Sequence, residues 1–137
     1  MIWLLDTGPL VAFFDRSDSY HAWARQIWSQ APLPMLTCDA VLAEATYLLH
    51  ERAGLCPSAV LELVNRRILR SSFVVDSEAA ALSGLLNKYR DQEMQLADAC
   101  LVRMSELHRE AKVFTVDVTD FRRYRRFDRR VISLVSP

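Results

Sequence analysis

The chain has 137 residues, a formal net charge of zero, 51% hydrophobic residues, and only three glycines and five prolines. This length and composition predict one compact domain spanning residues 1–137, and they argue against a disordered chain. No apolar run reaches the ~20 residues of a membrane span. The three widely spaced cysteines are typical of free thiols and indicate neither a disulfide framework nor a zinc site. We therefore expect a cytoplasmic protein without a secretion signal.

Short apolar segments alternate with longer segments of helical periodicity. In the first half of the chain they predict a strand at 2–5, a helix at 7–14, a helix carrying Trp23, Ile27 and Trp28, a strand at 35–36, and a helix through 41–49 that Thr37 or Asp39 caps. In the second half they predict a helix at 58–69, a strand at 73–75, a helix that Asp76 and Ser77 cap and that runs to Tyr89, a helix at about 96–108, and strands at 113–116 and 131–135.

Strands that alternate with helices are typical of parallel sheets with helices on both faces. No internal repeat, low-complexity tract or domain linker interrupts the pattern. We therefore predict an α/β fold, a three-layer α/β/α sandwich whose central, mainly parallel sheet has four to five strands.

Four acidic residues occupy unusual positions in this pattern. Asp6 and Asp117 each directly follow a predicted strand, and ligand sites of open parallel sheets form beyond the carboxyl ends of the strands. Glu44 lies inside the apolar stripe of its predicted helix, and Asp98 lies in the apolar segment LADACL. Asp6 or Asp98 alone could be a helix cap or first-turn carboxylate worth about 1 kcal/mol, which is the interpretation that we prefer for Asp39 and Asp76. Asp117 alone could be a turn aspartate, whereas Glu44 has no structural role in an apolar stripe.

As a set, these acids favour a metal site. Carboxylates that are brought together in a partly buried cleft repel one another, and burial further penalises their ionised forms. A hard divalent cation removes both penalties, and Mg²⁺ or Mn²⁺ prefers oxygen ligands. Such an ion can polarise a phosphodiester and activate water. A phosphatase with an acid pair after its first strand is disfavoured, because Gly8 stands where the second acid is needed.

Four segments together resemble the PIN-domain ribonucleases, the family that includes the VapC toxins of type II toxin–antitoxin pairs. They are LLDTGPLVAFFDRSD at 4–18, DAVLAEATYLL at 39–49, QLADACLVRMSE at 95–106 and VFTVDVTDFRRYR at 113–125. The resemblance covers nearly the whole chain, with the segments in the expected order and separation. It implies a central parallel sheet and a metal-dependent endoribonuclease that uses clustered acids. By position, it implies that the catalytic metal ligands are Asp6, Glu44, Asp98 and Asp117.

Three further residues are secondary candidates. Thr115 matches a polar residue that often stands two places before the last acid of the family. Asp120 is a second candidate for that acid, and we favour Asp117 because it directly follows the predicted strand. Thr7 would either contact the water shell of the metal or serve as a helix-start hydroxyl, and the two interpretations are equally supported.

A run of arginines near the C-terminus is a candidate RNA-binding segment. Its side chains could contact the RNA backbone, with Tyr124 or Phe127 stacking on bases, or they could form a solvated basic loop. The candidate RNA ligands are Arg122, Arg123, Arg125 and Arg126. For Tyr20, Trp23 and Trp28, helical spacing favours core packing over a partner surface.

The functional hypothesis is therefore an endoribonuclease that depends on Mg²⁺ or Mn²⁺ and acts as the toxin of a toxin–antitoxin pair. The resemblance also implies a cognate antitoxin protein and a homodimer, and it gives no reason to expect membrane association. The alternative is a non-catalytic PIN-like scaffold that binds RNA or protein.

Overall fold

A five-stranded parallel sheet forms the centre of the protein. The structure is a computed structural model that describes all 137 residues. The strands are β1 (Trp3–Leu5), β2 (Met35–Leu36), β3 (Leu69–Arg70), β4 (Lys112–Phe114), β5 (Arg125–Arg126), β6 (Arg130–Val131) and β7 (Leu134–Val135). The helices are α1 (Thr7–Phe14), α2 (His21–Trp28), α3 (Asp39–Ala53), α4 (Pro57–Asn65), α5 (Val75–Lys88), α6 (Leu96–Leu107) and α7 (Val118–Arg123).

The strand order of the central sheet is β3-β2-β1-β4-β7, and every neighbouring pair is parallel. Seven helices flank this sheet, so the predicted α/β sandwich is confirmed. Strands β5 and β6 form a separate antiparallel pair. None of the helices combines the length and hydropathy that crossing a bilayer requires.

The order of the strands reverses beside β1. The chain first builds outward from β1 through β2 to β3, and β4 then pairs with the other side of β1, with Leu5 opposite Phe114. Such a switch point separates the loops that follow the two central strands and opens a crevice at their carboxyl ends. The fold therefore creates a ligand-binding position directly beyond Leu5 and Phe114.

The central strands are buried on both faces, as their continuous apolar sequences predict. Leu4, Leu5, Val113 and Phe114 are fully buried. The ring of Phe114 meets Trp3, Trp23 and Trp28 edge-on, with centroids 5.5 to 6.3 Å apart. Core packing is thus confirmed for Trp23 and Trp28, whereas Tyr20 is exposed and is not a core residue.

The third strand lies earlier in the chain than predicted. Helix α4 ends at Asn65, and Arg67 has a left-handed backbone with φ of 62°, which turns the chain into β3 instead of continuing the helix to 69. Leu69 pairs with Met35 and is fully buried. The apolar segment 73–75 is not a strand, because Val74 is 55% exposed and the next helix begins at Val75.

The predicted caps of α3 and α5 are also wrong. The residues that precede these helices are Cys38 and Val74, and neither has a side-chain capping hydrogen bond. The hydroxyl of Thr37 instead donates to the backbone oxygen of Leu5, at 2.9 Å. Asp39 and Asp76 lie in the first turns of their helices, where carboxylates interact favourably with the helix dipole.

The C-terminal region contains more elements than predicted. Helix α7 and the β5–β6 hairpin, which were not predicted, include most of the arginine run, and the predicted strand at 131–135 is divided between β6 and β7. The hairpin turns at Phe127 and Asp128, whose φ angles are 48° and 66°. Only β7 joins the central sheet, through Leu134 opposite Val113.

Candidate active site

The four predicted acids line one cavity of about 550 Å³ at the carboxyl edge of the sheet. Asp6 comes from the end of β1, Glu44 from α3, Asp98 from the first turn of α6, and Asp117 from the segment after β4. Residues separated by as much as 111 positions therefore face the same space.

Asp6 is the most buried of these acids, with 7% of its surface exposed. Its Oδ1 accepts from the backbone N–H of Thr7 at 2.8 Å, and its Oδ2 accepts from the hydroxyl of Thr115 at 2.6 Å. Burial raises the pKa of Asp6 to about 7, the two hydrogen bonds oppose this increase, and repulsion from Asp98 and Asp117 adds to it. Asp6 also caps α1, so it fulfils the local role that the sequence left open as an alternative.

Asp98 likewise combines a local role with a place in the cavity. Its Oδ2 accepts from the backbone N–H of Gln95 at 3.1 Å, as in a capping box. Burial raises the pKa of Asp98, and the negative charges of Asp120 and Glu44 raise it further. The hydroxyl of Tyr124 points at the same Oδ2 from 3.4 Å, a long contact that the sequence did not indicate.

Asp117 does not follow its strand directly, because β4 ends at Phe114. It caps α7, where its Oδ1 accepts from the backbone N–H of Asp120 at 3.3 Å. Burial raises the pKa of Asp117, and repulsion from Asp120 and Asp98 contributes to the increase. Asp117 lines the cavity and Asp120 does not. This geometry supports Asp117 as the fourth acid, with Asp120 as its close neighbour.

Two threonines connect the acids or lie beside them. The buried hydroxyl of Thr115 donates to Asp6 and accepts from the backbone N–H of Asp117 at 2.9 Å, so it links two of the acids. Thr7 lines the cavity, and its hydroxyl is buried without any hydrogen-bond partner in the protein. Because an unpaired buried hydroxyl costs free energy, a polar ligand in the cavity would satisfy it.

Glu44 is exposed, which contradicts its predicted place inside the apolar stripe of α3. The buried residues of this helix are Val41, Leu42, Ala45 and Leu49. Glu44 stands beside that stripe and turns toward the cavity, as does the half-buried Leu48 one turn later. An exposed carboxylate that lines the cavity can move toward a ligand without first breaking a hydrogen bond or an ion pair.

The close approach of two backbone segments shapes the floor of the cavity. A Cβ added at Gly8 would overlap Cγ2 of Val116. Glycine therefore allows the first turn of α1 to pack against the segment between β4 and Asp117. In the sequence, Gly8 stands out only as a missing acid, and no local pattern indicates this contact with Val116.

The residues of the cavity fit a hard divalent cation, although no three of them are close enough together to form a ready-made ligand set. The donors are carboxylate and hydroxyl oxygens, which Mg²⁺ and Mn²⁺ prefer. Asp6, Asp98 and Asp117 all have raised pKa values because of burial and mutual repulsion. A cation would relieve that repulsion, and the unpaired hydroxyl of Thr7 could bind its water shell.

None of the arginines proposed to contact RNA lines this cavity. Arg122 and Arg123 are exposed, and Arg125 is half-buried and donates to the backbone oxygens of Arg122 and Tyr124. Arg126 is buried and donates to the backbone oxygen of Arg109 at 2.9 Å, which argues against a role in RNA binding.

The prediction that Tyr124 could stack on a base is wrong, because this side chain is fully buried. Its ring packs edge-on against Tyr89 and Phe121. Phe127 is 45% exposed at the tip of the β5–β6 hairpin and is free to stack.

Comparisons with known proteins identify the family. The family model for the PIN domain matches residues 3–127. Ribonuclease VapC26 of Mycobacterium tuberculosis is 26% identical over 119 residues, which cover 86% of this chain and 88% of that protein. The crystal structure of M. tuberculosis VapC20, described as a sarcin–ricin loop cleaving toxin, superimposes with a TM-score of 0.68 at 22% identity, over 86% of this chain and 93% of that one. The chain therefore belongs to the PIN domain family.

Proposed function

We propose that this protein is a metal-dependent endoribonuclease and the toxin of a toxin–antitoxin pair. The observation that carries the proposal is the convergence of Asp6, Asp98 and Asp117 on one cavity, where each carboxyl group has a raised pKa. A cation that binds between clustered carboxylates relieves their mutual repulsion, so groups with such perturbed pKa values are candidates for a functional site. The relative named as a ribonuclease supports RNA as the substrate class.

Asp6, Glu44, Asp98 and Asp117 are the proposed ligands of Mg²⁺ or Mn²⁺, and all four line the cavity. When bound, such an ion would polarise the scissile phosphodiester and favour ionisation of the attacking water.

The protein's own residues position these ligands. Thr115 holds Asp6 and the backbone of Asp117 in fixed orientation through its two hydrogen bonds. Thr7, whose hydroxyl has no hydrogen-bond partner, would contact the water shell of a bound ion. Asp120 supports Asp117 from α7 through its backbone N–H.

The proposal includes a cognate antitoxin that covers the cavity, a homodimeric state, a single domain over residues 1–137, and a cytoplasmic location. The VapC-like relatives support the antitoxin partner. A non-catalytic scaffold is the second candidate, because no three acids are already close enough to share an ion. That candidate predicts RNA or protein binding without cleavage.

The direct test is cleavage of RNA by the purified protein. The substrates are a mixed-sequence single-stranded RNA and a sarcin–ricin loop hairpin, the latter chosen because VapC20 is described as cleaving that loop. We expect cleavage with Mn²⁺ or Mg²⁺, no cleavage with EDTA, and no cleavage by Asp6→Asn. The matched control is Asp91→Asn, which changes an exposed acid outside the cavity. Cleavage by a folded Asp6→Asn variant at the wild-type rate would contradict the proposed site.

A further inference from the structure

The cavity extends beyond the proposed metal ligands toward Arg52 and Tyr20. Its lining contains six carboxylate residues and a single cationic one, Arg52. An RNA strand is polyanionic, so this part of the cavity is where the protein itself offers a positive charge to a phosphate.

Arg52 lies on the same face of α3 as Glu44. Glu44, Leu48 and Arg52 follow one another at four-residue spacing along α3, and all three line the cavity. At 1.5 Å per residue, the Cα atoms of Glu44 and Arg52 are about 12 Å apart along the helix axis. Arg52 therefore lies about two helical turns further along the cavity wall than Glu44.

The guanidinium of Arg52 is available for a ligand. Arg52 is exposed and takes part in none of the four ion pairs of the structure. The pKa of Asp15 is lowered mainly by hydrogen bonds from Ser17, and the charge of Arg52 contributes a smaller part. Arg52 and the loop that connects α1 to α2 line the same cavity.

That loop presents an aromatic side chain on a fixed backbone. Asp15 Oδ1 accepts from the backbone N–H and the hydroxyl of Ser17, and Asp18 Oδ1 accepts from the backbone N–H of Tyr20 at 2.8 Å. Tyr20 is 39% exposed, and one edge of its ring rests against Trp23, with centroids 6.3 Å apart. An exposed ring on an ordered loop is suited to stacking on a nucleobase.

We propose that Arg52 and Tyr20 form a subsite for a nucleotide that flanks the scissile phosphate. Arg52 binds the flanking phosphate, and Tyr20 stacks on the adjacent base. The inference rests on the proposed function, because it takes the substrate to be an RNA strand that passes through the acidic part of the cavity. It adds a second contact to the strand, from a residue whose Cα lies about 12 Å from that of Glu44 along the helix axis.

This subsite has a distinct kinetic signature. A contact to a flanking nucleotide is made equally in the ground state and in the transition state, so its removal raises KM and leaves kcat nearly unchanged. Removal of an acid that acts on the scissile phosphate has the opposite signature, because it lowers kcat.

The test is the cleavage kinetics of a short single-stranded RNA that the wild-type protein cuts. We expect Arg52→Ala to raise KM about tenfold, with kcat within about twofold. We expect Tyr20→Ala to raise KM and Tyr20→Phe to retain the wild-type value, because phenylalanine keeps the ring. The matched control is Arg66→Ala, at the residue directly after α4; its guanidinium pairs with Glu62 outside the cavity, and the KM of this variant should not change.

The position of the contact can be mapped on the RNA. Substrates with one methylphosphonate linkage each remove the charge of one phosphate at a time. At one flanking position, a neutral linkage should raise the KM of the wild type. The same linkage should leave the KM of Arg52→Ala unchanged, since that variant no longer has the guanidinium that binds the phosphate. Equal effects on both proteins at every position, or an unchanged KM for Arg52→Ala, would overturn the subsite.

These results also separate the inference from the proposed function. Cleavage with Mn²⁺ together with an unchanged KM for Arg52→Ala refutes only the subsite. If the wild type binds the RNA without cutting it, and Arg52→Ala weakens binding about tenfold in fluorescence anisotropy, only the proposed catalysis fails. A wild-type protein that neither binds nor cuts the RNA contradicts both.

Discussion

Replacing Asp6 with asparagine should stabilise the metal-free protein at alkaline pH. Burial raises the pKa of this carboxyl group from 3.8 to about 7 in the folded state. Each pKa unit corresponds to about 1.4 kcal/mol. Ionised Asp6 therefore costs the folded state about 4 kcal/mol above pH 7, an upper limit because asparagine cannot keep both of the hydrogen bonds that Asp6 accepts.

The sign of the pH dependence follows from the direction of the shift. Because the folded-state pKa of Asp6 is raised, the unfolded chain loses this proton first, and stability falls as the pH rises from about 4 to about 7. Urea unfolding in EDTA should show Asp6→Asn more stable than the wild type by up to about 4 kcal/mol near pH 8, and by up to about 2 kcal/mol near pH 5.

A matched control isolates the contribution of burial. Asp91→Asn removes an exposed acid, so its effect on the free energy of unfolding should stay within about 0.5 kcal/mol at both pH values. If Asp6→Asn is instead less stable than the wild type at both pH values, the hydrogen bonds of Asp6 outweigh its burial. The conclusion that this carboxyl group is destabilised in the metal-free fold would then be wrong.

Three further predictions address the floor of the cavity and the arginine run. Gly8→Ala should lower the free energy of unfolding by about 1–3 kcal/mol, because the added Cβ overlaps with Val116. Alanine at an unobstructed helix position would instead stabilise the protein, so chemical denaturation, which measures whether the variant is less or more stable than the wild type, tests this contact. Thr115→Val should weaken Mn²⁺ binding about 10–100-fold in calorimetry, because Asp6 loses its hydroxyl donor, and Thr115→Ser should retain wild-type affinity. Replacing both Arg122 and Arg123 with alanine should weaken RNA binding and flatten its dependence on log salt by about 0.7 for each phosphate that the protein no longer neutralises, whereas an unchanged slope would indicate a solvated loop.

The central strands and the first acid could be predicted because their signals are local. The run from Ile2 to Leu5 is apolar on both faces and ends at a charge, so strand, burial and the position of Asp6 follow from the sequence itself. The third strand depends on a distant partner. Residues 73–75 are as apolar as a strand, but Leu69 is the residue that pairs with Met35 across the sheet.

Local sequence patterns also gave wrong predictions of burial where tertiary packing determines the environment of a side chain. Glu44 is spaced as if it belonged to the apolar stripe of α3, yet it stands at the edge that faces the cavity. Tyr124 and Arg126 lie in a basic segment that suggests solvent exposure. They are buried because this part of the chain packs against α6, where Tyr124 approaches Asp98, and beside Arg109, whose backbone oxygen Arg126 binds.

The metal-site and helix-cap interpretations of the acids are compatible. Asp6 and Asp117 cap α1 and α7, and Asp98 completes a capping box at α6, while all three face the same cavity. A helix N-terminus holds a carboxylate in a fixed orientation through backbone N–H groups. Capping therefore helps to position the proposed ligands.

Calorimetric titration of Mn²⁺ into the metal-free protein tests the central claim most directly, because it asks whether the acids of the cavity bind a divalent ion without RNA. We predict saturable binding by the wild type and by Asp91→Asn, and loss of that binding in Asp6→Asn and Asp98→Asn. Equal Mn²⁺ binding by all four proteins, or none by the folded wild type, would contradict the proposed metal site.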